Sequence, residues 1–311
     1  MSSLFNQEIN GFLVIDKPQG VTSHDVVQTV RSHLKIRRVG HLGTLDPLAT
    51  GVLPLAVGKA TRLARFTPGG LKVYQGTIRL GFSTDTFDGE GQATSEPVVP
   101  QVSLEQIQET SKHLLGEQLQ IPPPFSAKKI AGVRSYKLAR RGVEVSLPPQ
   151  QICIRQFNLV PRGGSELDFE IHCSAGTYVR SVAHEVGRGL GCGAHLTRLR
   201  RTASGEFRLD RALSLPALLT LSPSDLCRHL ISMNDALSAF PEVILDSKLQ
   251  TQFAHGTDFI ATAKVSNLSA KPLFRMLSLQ GELLGLAEPV AERCVDAEPD
   301  TLIAFHPTVV L

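Results

Sequence analysis

The sequence predicts a mixed α/β or α+β fold and argues against a doubly wound parallel one. Three observations carry this. Strand-like and helix-like segments succeed each other without strict alternation. In Leu167 to Ser174, Leu167, Phe169, Ile171 and Cys173 alternate with Asp168, Glu170, His172 and Ser174, the mark of a sheet covered on one face. Near Phe240-Pro241 the charge changes sign and a new strand–helix–strand pattern begins, so residues 1–238 and 239–311 are expected to form separate domains. With 42% hydrophobic and 20% charged residues, the 311-residue chain is composed as a soluble globular protein, not a disordered or coiled-coil one.

The elements follow in order. Gly11 to Asp16 reads as a short buried strand, and Lys17-Pro18-Gln19-Gly20 as a turn. Thr22 or Ser23 can cap a helix with Val26, Val27, Val30 and Leu34 on its apolar face. Gly40 to Gly51 is too densely punctuated by Gly and Pro for anything but a loop. Val52 to Val57 is strand-like, Lys59 to Phe66 a short basic-faced helix, and Lys72 to Phe82 a strand. Ser103-Leu104-Glu105-Gln106 has the capping-box pattern and opens a helix with Leu104, Ile107, Leu114 and Leu115 inward. Pro122-Pro123-Pro124 forces an extended segment. Ile152 to Val160 and Leu167 to Ser174 are strands. Thr177 starts a helix with Val179, Val182, Ala183 and Val186 inward, ended by Gly187, Gly189, Gly191 and Gly193.

Charge and cysteine usage narrow the class. Lys plus Arg number 32 and Asp plus Glu 29, a net of +3, but residues 1–238 carry +7 and residues 239–311 carry −4. Gln118 to Val143 contains six basic residues and no acid: Lys128, Lys129, Arg134, Lys137, Arg140 and Arg141. Arg180 to Arg211 contains seven arginines against three acids. Both stretches suit a phosphate backbone. Five scattered cysteines, none within three residues of another, argue against a disulfide framework and a Cys-x-x-Cys zinc site. A reducing, cytoplasmic setting is expected. No apolar run approaches a membrane span, and Met1 to Asn10 does not read as a signal peptide. Gly58-Lys59-Ala60-Thr61 lacks the first glycine of a phosphate loop, Gly189 to Gly193 lacks dinucleotide-fingerprint spacing, Asp85 to Gly91 has the wrong intervals for a calcium loop, and no Gly-x-Ser-x-Gly elbow occurs.

The segment that carries chemistry is Gly40-His41-Leu42-Gly43-Thr44-Leu45-Asp46-Pro47-Leu48-Ala49-Thr50-Gly51. Pro47 biases Asp46 away from helix, and Leu45 and Leu48 can bury the loop, leaving Asp46 as its one charged group. A carboxylate so placed needs a cationic partner.

This segment resembles the catalytic loop of the TruB family of pseudouridine synthases. Its companions appear in order: Lys17-Pro18-x-Gly20 with Thr22-Ser23; Lys72-x-Tyr74 with Leu80-Gly81-x-x-Thr84-Asp85-Thr86-x-Asp88-x-x-Gly91; Pro123-Pro124-x-Ser126-Ala127-Lys128-Lys129 with Gly132-x-Arg134-x-Tyr136; Cys173-Ser174-x-Gly176-Thr177-Tyr178-Val179-Arg180; and Gly191-x-Gly193-Ala194-His195-Leu196-x-x-Leu199-Arg200-Arg201. Leu42 departs mildly from the family, where Thr is commoner. The likeness spans roughly residues 10–235, and the tail resembles a small PUA-type RNA-binding domain.

The resemblance implies a large mixed, mainly antiparallel sheet flanked by helices, an RNA-gripping insertion at about 122–150, and a C-terminal PUA-like β domain. It implies a monomeric isomerase that converts uridine 55 in the T loop of tRNA to pseudouridine without cofactor or metal. Asp46 would be the nucleophile, and Arg180 would pair with it and aim it. Tyr74 would stack on the target base and could remove a proton. His41 would fill the stack vacated by the flipped base. Lys17 and Leu199 would line the pocket, with support of the fold as the alternative role for Lys17, Tyr178 would position the Asp46–Arg180 pair, and Lys128, Lys129, Arg134 and Arg141 would grip the tRNA T arm. The competing reading is an RNA-binding or tRNA-folding protein of the same fold with dead chemistry.

Overall fold

The computed structural model describes residues 9–67, 70–126, 128–130, 132–135, 143, 147–263, 273–290 and 301–311. The first strand, β1 (Gly11–Lys17), forms where the sequence is continuously apolar, and it is buried on both faces. Leu13 and Ile15 join one core while Phe12 and Val14 join another, as the two-residue period of a strand requires. Helix α1 (Ser23–Leu34) follows, capped reciprocally by Thr22 and Asp25, with Val26, Val27 and Val30 buried and Leu34 partly buried.

The Gly40–Gly51 stretch is not loop throughout. Its ends are drawn into β2 (Val39–His41) and β3 (Thr50–Val57), because antiparallel pairing of Val39–His41 with Leu55–Val57 satisfies their backbone groups. The loop proper is residues 42–49. The predicted helix Lys59–Phe66 is a 3-10 turn, Gly58–Arg62, too short to propagate.

Then come β4 (Lys72–Leu80), α2 (Leu104–His113), β5 (Gly116–Gln120), the hairpin β6 (Lys129–Ile130) and β7 (Val133–Arg134), β8 (Gln150–Gly163) and β9 (Glu166–Cys173). On α2 only Ile107 and Ser111, one turn apart, are buried; Leu104 and Leu115, expected inward, are exposed because they lie at and beyond the ends of that short contact stripe. Strand β9 alternates as predicted, with Leu167, Phe169, Ile171 and Cys173 buried. Helix α3 (Val179–Gly189) begins two residues later than predicted, with Tyr178 at its N-cap.

The chain closes the large sheet with β10 (Ala194–Ser204), β11 (Phe207–Arg208) and β12 (Leu213–Ser214), then runs through α4 (Leu215–Thr220) and α5 (Pro223–His229). The second unit holds β13 (Glu242–Ile244), α6 (Ser247–Ala254), β14 (Phe259–Ala263), β15 (Phe274–Leu277), β16 (Leu283–Pro289) and β17 (Thr301–Val310).

Among the described residues the large sheet runs β12-β1-β3-β10-β4-β9-β8-β5, with β2 on β3 and β11 on β10. It is mixed but mainly antiparallel: only β1–β12 and β3–β10 pair in parallel. The second sheet runs β13-β15-β16-β17-β14. The β3–β10 pairing places the loop 42–49. It consists of Thr50 with Arg200 and Gly51 with Arg201, and the loop precedes this short seam directly. Gly51 is required there: its φ is +100°, and a Cβ would lie 2.2 Å from the Arg201 carbonyl oxygen. The sheets are not independent, since Phe12, Val14 and Val52 share a core with Leu286 and Val309. No helix among the described residues is long and apolar enough to cross a membrane.

Candidate active site

The loop 42–49 is pinned from below by the turn that follows β1. Lys17 is fully buried, and its ammonium donates to the carbonyls of Pro18 (2.9 Å), Val21 (2.7 Å) and Pro47 (3.3 Å). The Gly20 amide also reaches the Pro47 carbonyl, at 2.9 Å. Ser23 closes the other side: its hydroxyl accepts from the Leu45 amide at 2.8 Å and donates to the Leu45 carbonyl at 3.1 Å. Leu45, Leu48 and Ala49 are buried, and Asp46, between the two pinned residues, keeps a side chain 37% exposed. Lys17, expected to line the pocket or to support the fold, donates to three backbone carbonyls that shape the loop. Burial lowers its pKa to about 8, against the pull of Asp46.

Arg180 comes from the first turn of α3, where a cation opposes the helix dipole. Four acceptors offset that. Nε donates to Asp46 Oδ2 at 2.8 Å, Nη1 to the Thr86 carbonyl at 3.1 Å, and Nη2 to the Phe125 carbonyl at 3.0 Å, while Asp88 Oδ2 lies 3.4 Å from Nη1. One buried guanidinium therefore ties together four segments distant in sequence. Asp88 is 7% exposed and is itself held by the Thr86 hydroxyl at 2.6 Å and the Glu90 amide at 3.1 Å. Sequence reasoning passed over Asp88 as a site residue. The signal was an acid in a turn-rich stretch with no cation near it in sequence, the same signal that singled out Asp46.

Tyr74 is buried on β4, directly across from Arg201 on β10. Burial raises its phenol, partly opposed by the Arg201 guanidinium. Arg201 is 1% exposed and donates to the Val52 carbonyl at 2.7 Å and the Gly43 carbonyl at 3.1 Å, so it fixes the start of the loop as Lys17 fixes its end. Lys72, also on β4, donates to Ser204 Oγ at 2.8 Å; burial and Arg201 lower it to about 8. Leu199 is buried opposite Gly76 and, with Leu48, lines a cavity of about 630 Å³. Gly76 is needed there, because a Cβ would lie 2.1 Å from the Arg198 carbonyl oxygen.

His41 is half-buried at the end of β2; its Nδ1 is buried without a partner, and burial, with Arg201 nearby, lowers its pKa. Tyr178 precedes Arg180, its backbone paired with the Gln120 amide in both directions (2.8 and 3.0 Å). Burial raises its phenol, with smaller influences from Asp46 and Arg180.

The structure therefore gathers Asp46, Arg180, Tyr74, Tyr178 and Lys17 about one loop. Lys128, partly buried, and the backbone of Lys129 and Arg134 lie on the β6–β7 segment, where those two residues face each other across the hairpin. Arg141 lies outside the described residues. Of the seven arginines of 180–211, Arg180 and Arg201 are buried, Arg200 grips Asp16 at 3.1 and 2.8 Å, Arg188 pairs at the surface with Glu185 at 2.7 Å, and Arg198, Arg208 and Arg211 are exposed. Arg201 is buried because its side chain faces inward from β10, and Arg180 because it sits at the start of α3 among its acceptors.

Known proteins resemble this chain over most of its length. Residues 31–179 match the model of the TruB family pseudouridylate synthase N-terminal domain, and residues 180–238 that of the tRNA pseudouridylate synthase B C-terminal domain. The tRNA pseudouridine synthase B of Solibacter usitatus is 43% identical over 304 residues, 97% of this chain and all of that one. That of Syntrophotalea carbinolica is 46% identical over 76% of this chain and 77% of its own. Among solved structures, a Cbf5-Nop10-Gar1 complex contains a chain with TM-score 0.75 and 26% identity, covering 99% of this chain and 87% of that one. By these matches the chain belongs to the TruB family of pseudouridylate synthases, isomerases that form pseudouridine in tRNA.

Proposed function

We propose that this enzyme isomerises uridine 55 in the tRNA T loop, with Asp46 as the nucleophile. The observation that carries the proposal is the pinned loop with its half-exposed carboxylate, aimed by an arginine that has no freedom left. Asp46 is the one charged group of the loop, and Arg180 holds it at 2.8 Å. The reaction breaks the N1–C1′ bond and makes a C5–C1′ bond, with the C5 hydrogen leaving as a proton and N1 gaining one. Atoms are conserved, and Asp46 supplies the carboxylate that carries the reaction between cleavage and rejoining.

A uridine inside a folded loop must be turned out to reach this site, at a cost of a few kcal/mol. His41, neutral by burial, is assigned to the vacated stack. The ring of Tyr74 stacks on the flipped base, and Leu199 closes the other side. The Tyr74 hydroxyl rests as a neutral phenol; if it takes the C5 proton, Arg201 is the cation beside the phenolate. Lys128, Lys129, Arg134 and Arg141 read the T arm by its backbone. Residues 1–238 form the catalytic unit and 239–311 a PUA-like RNA-binding unit.

The test is tritium release from T-arm RNA labelled at uridine C5. The wild-type chain releases tritium, whereas Asp46→Asn binds the RNA and releases none. Release by Asp46→Asn would remove the nucleophile assignment, and release from a T arm lacking uridine 55 would remove the position.

A further inference from the structure

Among the described residues two non-glycines have left-handed backbone. Lys35 ends α1, a common place for it. Phe87, at φ +62°, sits inside the turn that supplies Thr86 and Asp88 to Arg180. A bulky residue there is strained and persists only where its surroundings impose it. The strain lies between the two groups that meet the same Arg180 nitrogen, so the conformation of Phe87 decides whether both can point at Nη1.

What imposes it is partly backbone: the Leu196 amide donates to the Phe87 carbonyl at 3.0 Å, and the Gly89 amide to the Leu196 carbonyl at 2.8 Å. The Phe87 ring, however, lies on His184, with centroids 4.0 Å apart and planes 17° apart. His184 stands four residues after Arg180, one turn along the same face of α3. Its Nδ1 is buried without a hydrogen-bond partner, and burial holds its pKa down, so this imidazole serves as a ring face. Helix α3 thus grips the turn twice, through a guanidinium and through a stacked ring.

We infer that the Phe87–His184 stack is a positioning device for catalysis: it holds the 84–91 turn so that Thr86 and Asp88 fix Arg180, which in turn aims Asp46. The inference rests on the assignment of Asp46 and Arg180 above. Neither ring is among the groups assigned to the substrate above, so the effect belongs in the chemical step and not in RNA binding.

The experiment measures single-turnover pseudouridine formation on a full-length tRNA transcript, with tRNA affinity alongside. Phe87→Ala and His184→Ala each remove one ring of the stack. Each should slow the chemical step on the order of tenfold while affinity changes less than about twofold. His184→Phe and Phe87→Tyr, which keep two stacked rings, should recover most of that loss. Phe87→Gly, which relieves the backbone but removes the ring, should fall between. A wild-type rate in Phe87→Ala, a loss seen only in affinity, or no advantage of His184→Phe over His184→Ala would overturn the inference. Asp46→Asn in the same assay separates the two levels. If it turns over, the underlying assignment has failed; if it is dead while Phe87→Ala is fully active, the stack alone has.

Discussion

Arg180 and Arg201 belong to a stretch of seven arginines, and Lys128, Lys129 and Arg134 to a stretch of six basic residues without an acid. By density of basic residues the two stretches are alike. In the fold, the first becomes the start of α3 and the inner strand β10, so its key arginines are buried and bonded to carbonyls and carboxylates. The second follows three prolines and forms the β6–β7 hairpin, a separate two-stranded sheet outside the large one. Part of the first stretch uses its positive charge to build the site, while the second stands on a hairpin apart from the large sheet. Charge in a sequence thus marks a place where an anion or acceptor is needed, without saying whether the protein itself provides it.

The comparison can be broken by removing charge from each side. Arg201→Met should cost the most: it leaves the Val52 and Gly43 carbonyls unpaired, and a loss of about 3 kcal/mol of stability is expected in urea unfolding. A variant as stable as wild type would mean that the buried arginine does not hold the loop. Replacing Lys128, Lys129 and Arg134 together by Ala should leave the thermal midpoint unchanged and weaken tRNA binding. The slope of log affinity against log salt should fall by roughly 0.7–0.9 for each phosphate that is no longer neutralised. An unchanged salt slope would remove the hairpin from the RNA grip.

An effect that only pH reveals is expected at Lys72, which sits beside Arg201 and whose native pKa is lowered to about 8 from 10.5. Between those values the unfolded chain binds the proton that the native chain has shed, so this group makes stability rise with pH. The urea midpoint of wild type relative to Lys72→Met should therefore climb between about pH 8 and pH 10.5; a constant difference across that window would contradict the assigned burial.

Much of this was legible in the chain itself. The Thr22 cap, the alternation of β9 and the isolation of Asp46 in a Gly- and Pro-rich loop follow from local preference and spacing, because caps, strand period and turn residues act over a few positions. The mild misreadings were local too: Leu104 and Leu115 keep helical spacing but lie exposed at and beyond the ends of the buried stripe of α2.

Amino-acid order alone therefore determined β1, α1, β9 and the start of α2, the loop that carries the carboxylate and the family motifs around it. Tertiary structure alone decided the partners. Residues 134 apart, Asp46 and Arg180 meet only because β3 and β10 touch at a two-residue seam, and Asp88 joins them only because the turn after β4 folds back onto β10. Lys17 and Arg201 clamp the loop from opposite ends for the same reason. Burial and long-range pairing are properties of the assembled sheet, and no window of sequence contains them.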